Sequence, residues 1–180
     1  MNAADPTPID RLYLEACGII RELQQNEQIS LQNSASDNFR KTLLLAAASY
    51  FEHRICALLM DFVKERARGS VLIEQFVRKK AISRQYHTLF DWDSGNANKF
   101  FSWFGKEFTA KMAEDVRRSE DLEVAIKAFM EIGRERNLLV HLDYATFPLE
   151  KTLDEIYALY QKGLIFIERL PKAFRECDEI

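Results

Sequence analysis

The residues best suited to chemistry lie in one short run, residues 134–141, with the sequence RERNLLVH. A histidine exchanges protons near neutral pH, and an arginine offers a fixed positive charge with forked donors that suit a phosphate. Together they support cleavage of RNA without a metal. The ribose 2′-hydroxyl attacks the adjacent phosphorus, His141 moves a proton, and an arginine stabilises the phosphoryl oxygens. That route leaves a 2′,3′-cyclic phosphate and a 5′-hydroxyl.

Helical spacing determines which of these side chains share a face. At 100° per residue, Arg134 and His141 fall within about 20° of each other, and Asn137 lies nearby on that side. Arg136 lies roughly 140° from His141 around the axis, so only its long side chain would bring its charge near the ring. Geometry therefore favours Arg134, Asn137 and His141 as one stripe. The structural alternative is that these residues only complement the dipole at the end of a helix.

The composition predicts one helical domain, residues 1–180, in which residues 1–8 form a loose arm. The chain has 180 residues, 47% of them hydrophobic, with only 6 Gly and 4 Pro, which favours helices over many short strands. A net charge of -3 and a pI of about 5.7 argue against a general nucleic-acid binder but allow a local basic cleft. The absence of a leader and of any run of 18 apolar residues predicts no membrane span and a cytoplasmic location.

The apolar periodicity predicts a first helix capped by Asp5 or Thr7. A second, long helix is predicted from an N-cap at Ser36 or Asp37 to about Ala67. Much of it is apolar on more than one face, which indicates a central position in the fold.

Shorter helices are predicted over about residues 71–83 and 106–117, with a loop at residues 90–98 between them. Ser119 is predicted to begin the helix that carries His141. The final helix follows Thr152, with Pro171 close to its end. Because short loops favour antiparallel neighbours, the predicted fold class is all-α, an up-and-down four-helix bundle with additional short helices.

Other chemistry-bearing residues give weaker signals. No cluster of His, Cys, Asp and Glu has metal-ligand spacing, so we expect no metal and no other cofactor. His53 is an isolated helical histidine and is expected to be a surface or boundary residue. His87 lies by the irregular region with Arg84 and Tyr86 and is likewise expected to have no role in a site. A small basic patch, predicted as a solvated face with contact to an RNA backbone as the alternative, consists of Arg78, Lys79, Lys80 and Arg84.

Three motifs occur in a characteristic order. Residues 48–52, with the sequence ASYFE, lie in the early long helix, and the stretch from Asn98 to Gly105 follows. Arg136, Asn137 and His141 then lie near the end of a late helix. This order resembles the HEPN superfamily, and within it the RiboL-PSP HEPN-like branch, over about residues 37–171.

The resemblance implies a four-helix bundle that pairs into a homodimer, with Arg-x4-6-His motifs of two subunits facing each other across a cleft. It makes Arg136 and His141 the motif pair and Asn137 the polar residue beside the arginine. Arg134 satisfies the longer motif spacing and is the rival or helper. Glu52 corresponds to an acidic residue on the early helix that holds an arginine or the histidine in place.

Many members of the superfamily are metal-independent endoribonucleases, often toxins or defence effectors. The resemblance thus implies RNA as the substrate and allows for a cognate antitoxin or companion protein as a partner. Two departures concern substrate handling: Leu142 follows the histidine where this branch often has a small residue, and Asp143 stands where some toxin relatives have tyrosine. Other members have lost activity, so the alternative is a non-catalytic module that binds a protein or a nucleic acid.

Overall fold

A computed structural model describes residues 5–178 and places them in eight α-helices, with no β-strand in that range. The all-α fold class is confirmed, whereas the up-and-down four-helix bundle and the single domain stay predictions. A π-helical turn at Arg78–Ile82 continues the third helix. The helix bounds are α1 Pro8–Gln25, α2 Ile29–Arg66, α3 Val71–Val77, α4 Tyr86–Leu89, α5 Asn98–Ser102, α6 Lys106–Arg118, α7 Glu120–His141 and α8 Leu153–Asp178.

The start of α1 is fixed by a capping box at Thr7, one of the two residues predicted as its N-cap. Thr7 accepts a hydrogen bond from the backbone N–H of Asp10, and the Asp10 carboxylate accepts one from the backbone N–H of Thr7. The hydroxyl of Tyr160 donates to Thr7 and that of Tyr157 to Asp10, which ties α1 to α8. Residues 1–4 of the predicted arm lie outside the described residues.

The start of α2 differs from the sequence prediction. The helix begins at Ile29, so the prediction of an N-cap at Ser36 or Asp37 was wrong. The turn that separates α1 from α2 is completed earlier, around Glu27, which has a positive φ of 56°. Asp37 lies inside the helix, where its carboxylate pairs with the Lys41 ammonium at 3.1 Å instead of capping backbone N–H groups.

The end of α8 also differs from the prediction. Pro171 lies inside the helix, which continues for about two further turns, so its predicted position close to the end was wrong. Proline removes one backbone hydrogen bond. The helix continues because the next turns bury Phe174, whose ring lies 4.7 Å from Phe104 and 5.1 Å from Phe108 between centroids.

The core lies where α2, α7 and α8 meet. Phe51 of α2, Phe129 of α7 and Phe166 of α8 are buried, with ring centroids 5.2 Å apart for both Phe51–Phe129 and Phe129–Phe166. Gly163 permits this close packing, because an added Cβ would lie 2.8 Å from Cζ of Phe51 and 3.1 Å from Cα of Phe129. The two other helices, α2 and α8, therefore hold α7, and the residues at its end, in a fixed place.

By length and composition alone, α2 would be able to cross a membrane, the one helix in the described part of the chain that would. Of its most apolar 18-residue window, 44% is buried inside the fold. The core helices of soluble proteins pass the same test, so a single helix of this kind is weak evidence for a membrane span.

Candidate functional site

The last two turns of α7 open into a groove with a volume of about 380 Å³. Arg134, Asn137 and His141 line it together, as their shared helical face predicts. His141 is the last residue of the helix and is exposed. The sequence-predicted stripe is therefore brought together at one solvent-accessible place.

The opposite wall of the groove is formed by the loop between α4 and α5, and Trp92 attaches this loop to the helix. The indole lies directly over Gly133, where an added Cβ would approach its Cζ3 atom to 2.0 Å. Its Nε1 group donates a hydrogen bond to the carbonyl of His87 at 3.1 Å. Phe90 supports the loop from below, with its ring stacked on that of Phe100 at a centroid distance of 4.8 Å. The flat indole ring of Trp92 thus occupies the space that a side chain at residue 133 would fill.

The groove carries charges of both signs. Arg134 and Lys99 contribute cations, and Asp91 and Asp93 contribute carboxylates. Arg134 also contacts Glu135 at 3.1 Å, a pair that is partly exposed on the arginine side and therefore weak. Within residues 5–178, Lys99, Asp91 and Asp93 form no ion pair, so all three are available to a ligand. Such a groove suits a ligand that has both an anionic group and hydrogen-bond donors.

Arg136 does not itself line the groove, although its guanidinium contacts Asn137, which does. It is half-buried, and its Nη1 group donates to the Oδ1 atom of Asn137 at 3.2 Å. Its charge also acts on the phenol of Tyr86. Burial raises the pKa of Tyr86 well above its usual value, the charges of Glu52 and Cys56 raise it further, and Arg136 partly opposes them. Arg136 and Glu52 thus both lie near Tyr86.

The predicted clamp by Glu52 does not take the form of an ion pair. Among the described residues, Glu52 makes no salt bridge to Arg136, Arg134 or His141. Glu52 is half-buried on α2, and its charge helps to raise the pKa of Tyr86, the same phenol on which the charge of Arg136 acts. The proposed holding role of Glu52 therefore stays a prediction.

The chain beyond His141 is anchored by the early part of α2. Lys41 is 3% exposed, and its ammonium donates to the carbonyl of Tyr144 at 3.0 Å. Arg40 donates to the carbonyl of Leu149 at 3.0 Å. These two bonds fix the connection between α7 and α8, so the end of α7 cannot fray without breaking them.

None of the described residues form a group of three or more His, Cys, Asp and Glu side chains placed to hold a metal ion. The three cysteines are free.

A family model described as RiboL-PSP-HEPN matches residues 12–176. The chain belongs to this family. It is a HEPN-type domain, as the order of its motifs predicts, and the match extends at both ends beyond the segment that carries those motifs. A search of curated proteins and a search of solved structures found no match.

Within this HEPN domain, sequence reasoning missed the loop side of the groove and the buried lysine. Asp91, Trp92 and Lys99 were predicted only as part of a loop and its flank, and Lys41 fell within the predicted second helix without being singled out. One signal was present: Gly133 interrupts an apolar helix, where glycine costs about 1 kcal/mol relative to alanine. Such a glycine indicates that something packs closely against the helix.

Proposed function

We propose that this HEPN domain is a metal-independent endoribonuclease whose active site is the groove at the end of α7. The observation that carries the proposal is that Arg134, Asn137 and His141 line one accessible groove. An arginine and a histidine in one groove supply the two functions that RNA cleavage requires, charge stabilisation and proton transfer.

The proposed reaction needs no group beyond these side chains and the RNA. The ribose O2′ loses its proton to the His141 imidazole and forms a bond to the adjacent phosphorus, while the bond from phosphorus to O5′ breaks and O5′ gains a proton from the imidazolium. His141 is the proton-transfer residue in this reaction. Arg134 donates to the phosphoryl oxygens as their negative charge grows, which is where a fixed cation has its largest effect.

Asn137 and Arg136 complete the proposed site in different ways. Asn137 lines the groove and lies one helical turn from His141, so its amide is placed to bind a phosphate oxygen or a ribose hydroxyl. Arg136 holds the Asn137 side chain through the bond at 3.2 Å and acts as a positioning residue within one chain. The family resemblance assigns the phosphate contact to Arg136 instead, and a second subunit would be the way to bring it there.

A homodimer around this site is part of the proposal. Large apolar side chains near His141 are exposed and form a surface that a second copy would cover. They are Leu138, Val140, Leu142 and Tyr144. Two copies paired through this surface would place their grooves side by side.

Subunit mixing tests whether the site is composite. If Arg136 of one subunit acts with His141 of the other, His141→Ala and Arg136→Ala are each inactive and mixing them restores cleavage, because one site of each mixed dimer has both groups intact. If Arg136 acts only within its own chain, mixing does not raise cleavage above the residual activity of Arg136→Ala.

The proposed biological setting rests on the resemblance to the HEPN superfamily. We propose a cytoplasmic toxin or defence effector that acts on RNA, controlled by a cognate antitoxin or another companion protein, without attachment to a membrane.

Substitution of His141 tests the proposed function. Wild-type protein is incubated with a mixed set of RNAs in EDTA, beside His141→Ala and the matched control His53→Ala, which changes an exposed histidine on α2. We expect cleavage by wild type and His53→Ala, and a loss of about 10²-fold or more in His141→Ala. Equal cleavage by all three proteins, or cleavage that EDTA abolishes, would contradict the proposal.

A non-catalytic binding module is the second candidate, and the carboxylates of Asp91 and Asp93 in the groove favour it. They oppose the approach of an RNA phosphate and suit a ligand rich in hydrogen-bond donors. This candidate predicts that the purified protein binds RNA or a protein partner and leaves all tested RNAs intact.

A further inference from the structure

The third helix, α3, exposes four large apolar side chains to solvent. Val71 is 65% exposed, Leu72 83%, Ile73 52% and Phe76 67%, and α3 has no buried residue. Single exposed apolar residues are ordinary, but a contiguous set of four large ones indicates an interaction surface.

An apolar groove of about 450 Å³ adjoins this helix. Its walls come from α2, from the π-helical turn, from α4 and from Trp103, whose side chain is 63% exposed. Val77 lines the groove and lies one helical turn from Ile73, so the exposed face of α3 continues into it. We call this combined region the α3 surface: Val71, Leu72, Ile73, Phe76, Val77 and Trp103. It shares no residue with the lining of the α7 groove.

Positive charges border the α3 surface. The π-helical turn that follows α3 carries Arg78, Lys79 and Lys80, and Arg84 comes two residues after it. All four are exposed, Lys80 lines the groove, and none of them forms an ion pair with another residue of the described chain. Glu74 is the one acidic residue of α3. The surface is thus an apolar strip with a cationic border.

Charge distinguishes between the occupants that would cover such a surface. A second copy paired through a twofold axis would bring the same patch against itself, with cations facing cations. Single-stranded RNA could stack bases on Phe76 and Trp103, but it would leave the three adjacent aliphatic side chains, Val71, Leu72 and Ile73, without a flat partner. A helix with aliphatic residues on one face and carboxylates beside them would match both the strip and its border.

We propose that the α3 surface docks an amphipathic helix of a partner protein, one that carries aliphatic anchors flanked by aspartate or glutamate. The anchors bury Leu72, Phe76 and the groove beneath Trp103. The carboxylates meet the ammonium and guanidinium groups of Lys79, Lys80 and Arg84. Because the α7 groove has different lining residues, this docking does not depend on RNA cleavage.

Two synthetic peptides of about five helical turns probe the surface. Both carry leucine and isoleucine at the spacing of one helical face, and one has glutamate and the other lysine at the flanking positions. Binding is followed by tryptophan fluorescence of the full chain, with Trp103→Phe to identify the signal. We expect the glutamate peptide to bind saturably, the lysine peptide not to bind, and the affinity to fall as salt rises.

Substitutions on the protein separate the α3 surface from other exposed apolar residues. The double variant Leu72→Ser with Phe76→Ser should lose at least about tenfold in affinity for the glutamate peptide, a change of 1.4 kcal/mol. The matched control, Leu14→Ser with Leu31→Ser, changes two leucines on α1 and α2 that are 63% and 58% exposed, and it should bind as wild type does. Exposed substitutions of this kind leave the fold intact, which thermal unfolding verifies.

Charge reversal gives the sharpest outcome. Lys79→Glu with Lys80→Glu should weaken binding of the glutamate peptide and create binding of the lysine peptide. The proposal is overturned if the glutamate peptide does not bind, if both peptides bind wild type equally, or if the Leu72 and Phe76 variant binds unchanged. It is overturned in favour of a second copy if wild type forms a dimer that the Leu72 and Phe76 variant does not form. It is overturned in favour of RNA if a short single-stranded RNA displaces the glutamate peptide.

Discussion

The two sides of the last turns of α7 differ in what they offer to a ligand. On one side, Arg134 and His141 face a groove that is open to solvent. On the other, Arg136 is half-buried, bonded to Asn137 and placed near the phenol of Tyr86. Two arginines separated by a single residue thus have different surroundings. A motif defined by spacing alone does not identify which of them reaches the substrate, because the neighbouring elements decide that.

The largest expected effect separates these two arginines. Arg134→Ala should lower the single-turnover rate of RNA cleavage by about 10²–10³-fold, the usual effect of removing a group that stabilises transition-state charge. Arg136→Ala should lower it by a smaller factor, because Asn137 loses its hydrogen-bond partner but stays in the groove. The rates are measured under identical conditions with one RNA. The reverse order would place Arg136 and not Arg134 at the phosphate.

The second-largest expected effect concerns the groove wall that Trp92 forms against Gly133. Gly133→Ala should destabilise the protein by about 1–3 kcal/mol, because its Cβ would overlap the indole of Trp92 and force it to move. Thermal or denaturant unfolding measures the loss, and cleavage should fall as well because the wall is displaced. The matched control is Gly18→Ala on α1, where nothing lies within 4 Å of an added Cβ. That variant should be as stable as wild type or more so, and equal stability of both variants would show that Trp92 does not pack as described.

A smaller effect tests the burial on the Arg136 side. The pKa of Tyr86 is raised above its usual value of 10.0, chiefly by burial. Below pH 10 both the folded and the unfolded state keep this proton, so the stability is independent of this group. As pH rises above 10 the unfolded state loses the proton first, and stability falls by up to about 1.4 kcal/mol per pH unit until the folded-state pKa is passed.

Tyr86→Phe removes that contribution, and urea unfolding at several values above pH 9 measures it. The fall in stability should be shallower in Tyr86→Phe than in wild type, while Tyr144→Phe, which changes an exposed tyrosine, should follow wild type. Parallel curves for all three proteins would mean that the phenol of Tyr86 is not enclosed on this side.

The smallest effect concerns the carboxylates on the groove side. Asp91→Asn with Asp93→Asn removes two negative charges that oppose an RNA phosphate, so RNA should bind about two- to threefold more tightly at low salt. The measurement is made in a His141→Ala background to prevent cleavage. A control with the same change in net charge, Glu15→Gln with Glu27→Gln, should leave the affinity unchanged. Weaker binding in the Asp91 and Asp93 variant would mean that these carboxylates bind the RNA directly.

Local patterns in the sequence predicted most of the helices and the shared face of Arg134, Asn137 and His141. Helical periodicity and capping are local properties, so Ser119 begins α7 and α2 ends beside Ala67 as expected. The polar start of α2 was missed because the turn before it depends on the positive φ of Glu27, and no side chain caps the first turn of the helix.

The remaining features depend on contacts between distant parts of the chain. The continuation of α8 through Pro171 follows from aromatic packing of Phe174, and the groove wall depends on Trp92 meeting Gly133 from about forty residues away. Lys41 is buried because the chain after α7 returns to it. None of these contacts has a signature in a single sequence apart from the helical glycine.

The central claim, cleavage of RNA by attack of its own 2′-hydroxyl in the groove at the end of α7, is tested most directly by the ends of the RNA fragments. Wild-type protein in EDTA cuts a defined RNA, and each fragment is treated with a phosphatase or a kinase to reveal its terminal groups. We expect 2′,3′-cyclic phosphate and 5′-hydroxyl ends, and no cut at a nucleotide whose 2′-hydroxyl is replaced by hydrogen. Fragments with 3′-hydroxyl and 5′-phosphate ends, or cleavage at the deoxy position, would contradict this mechanism.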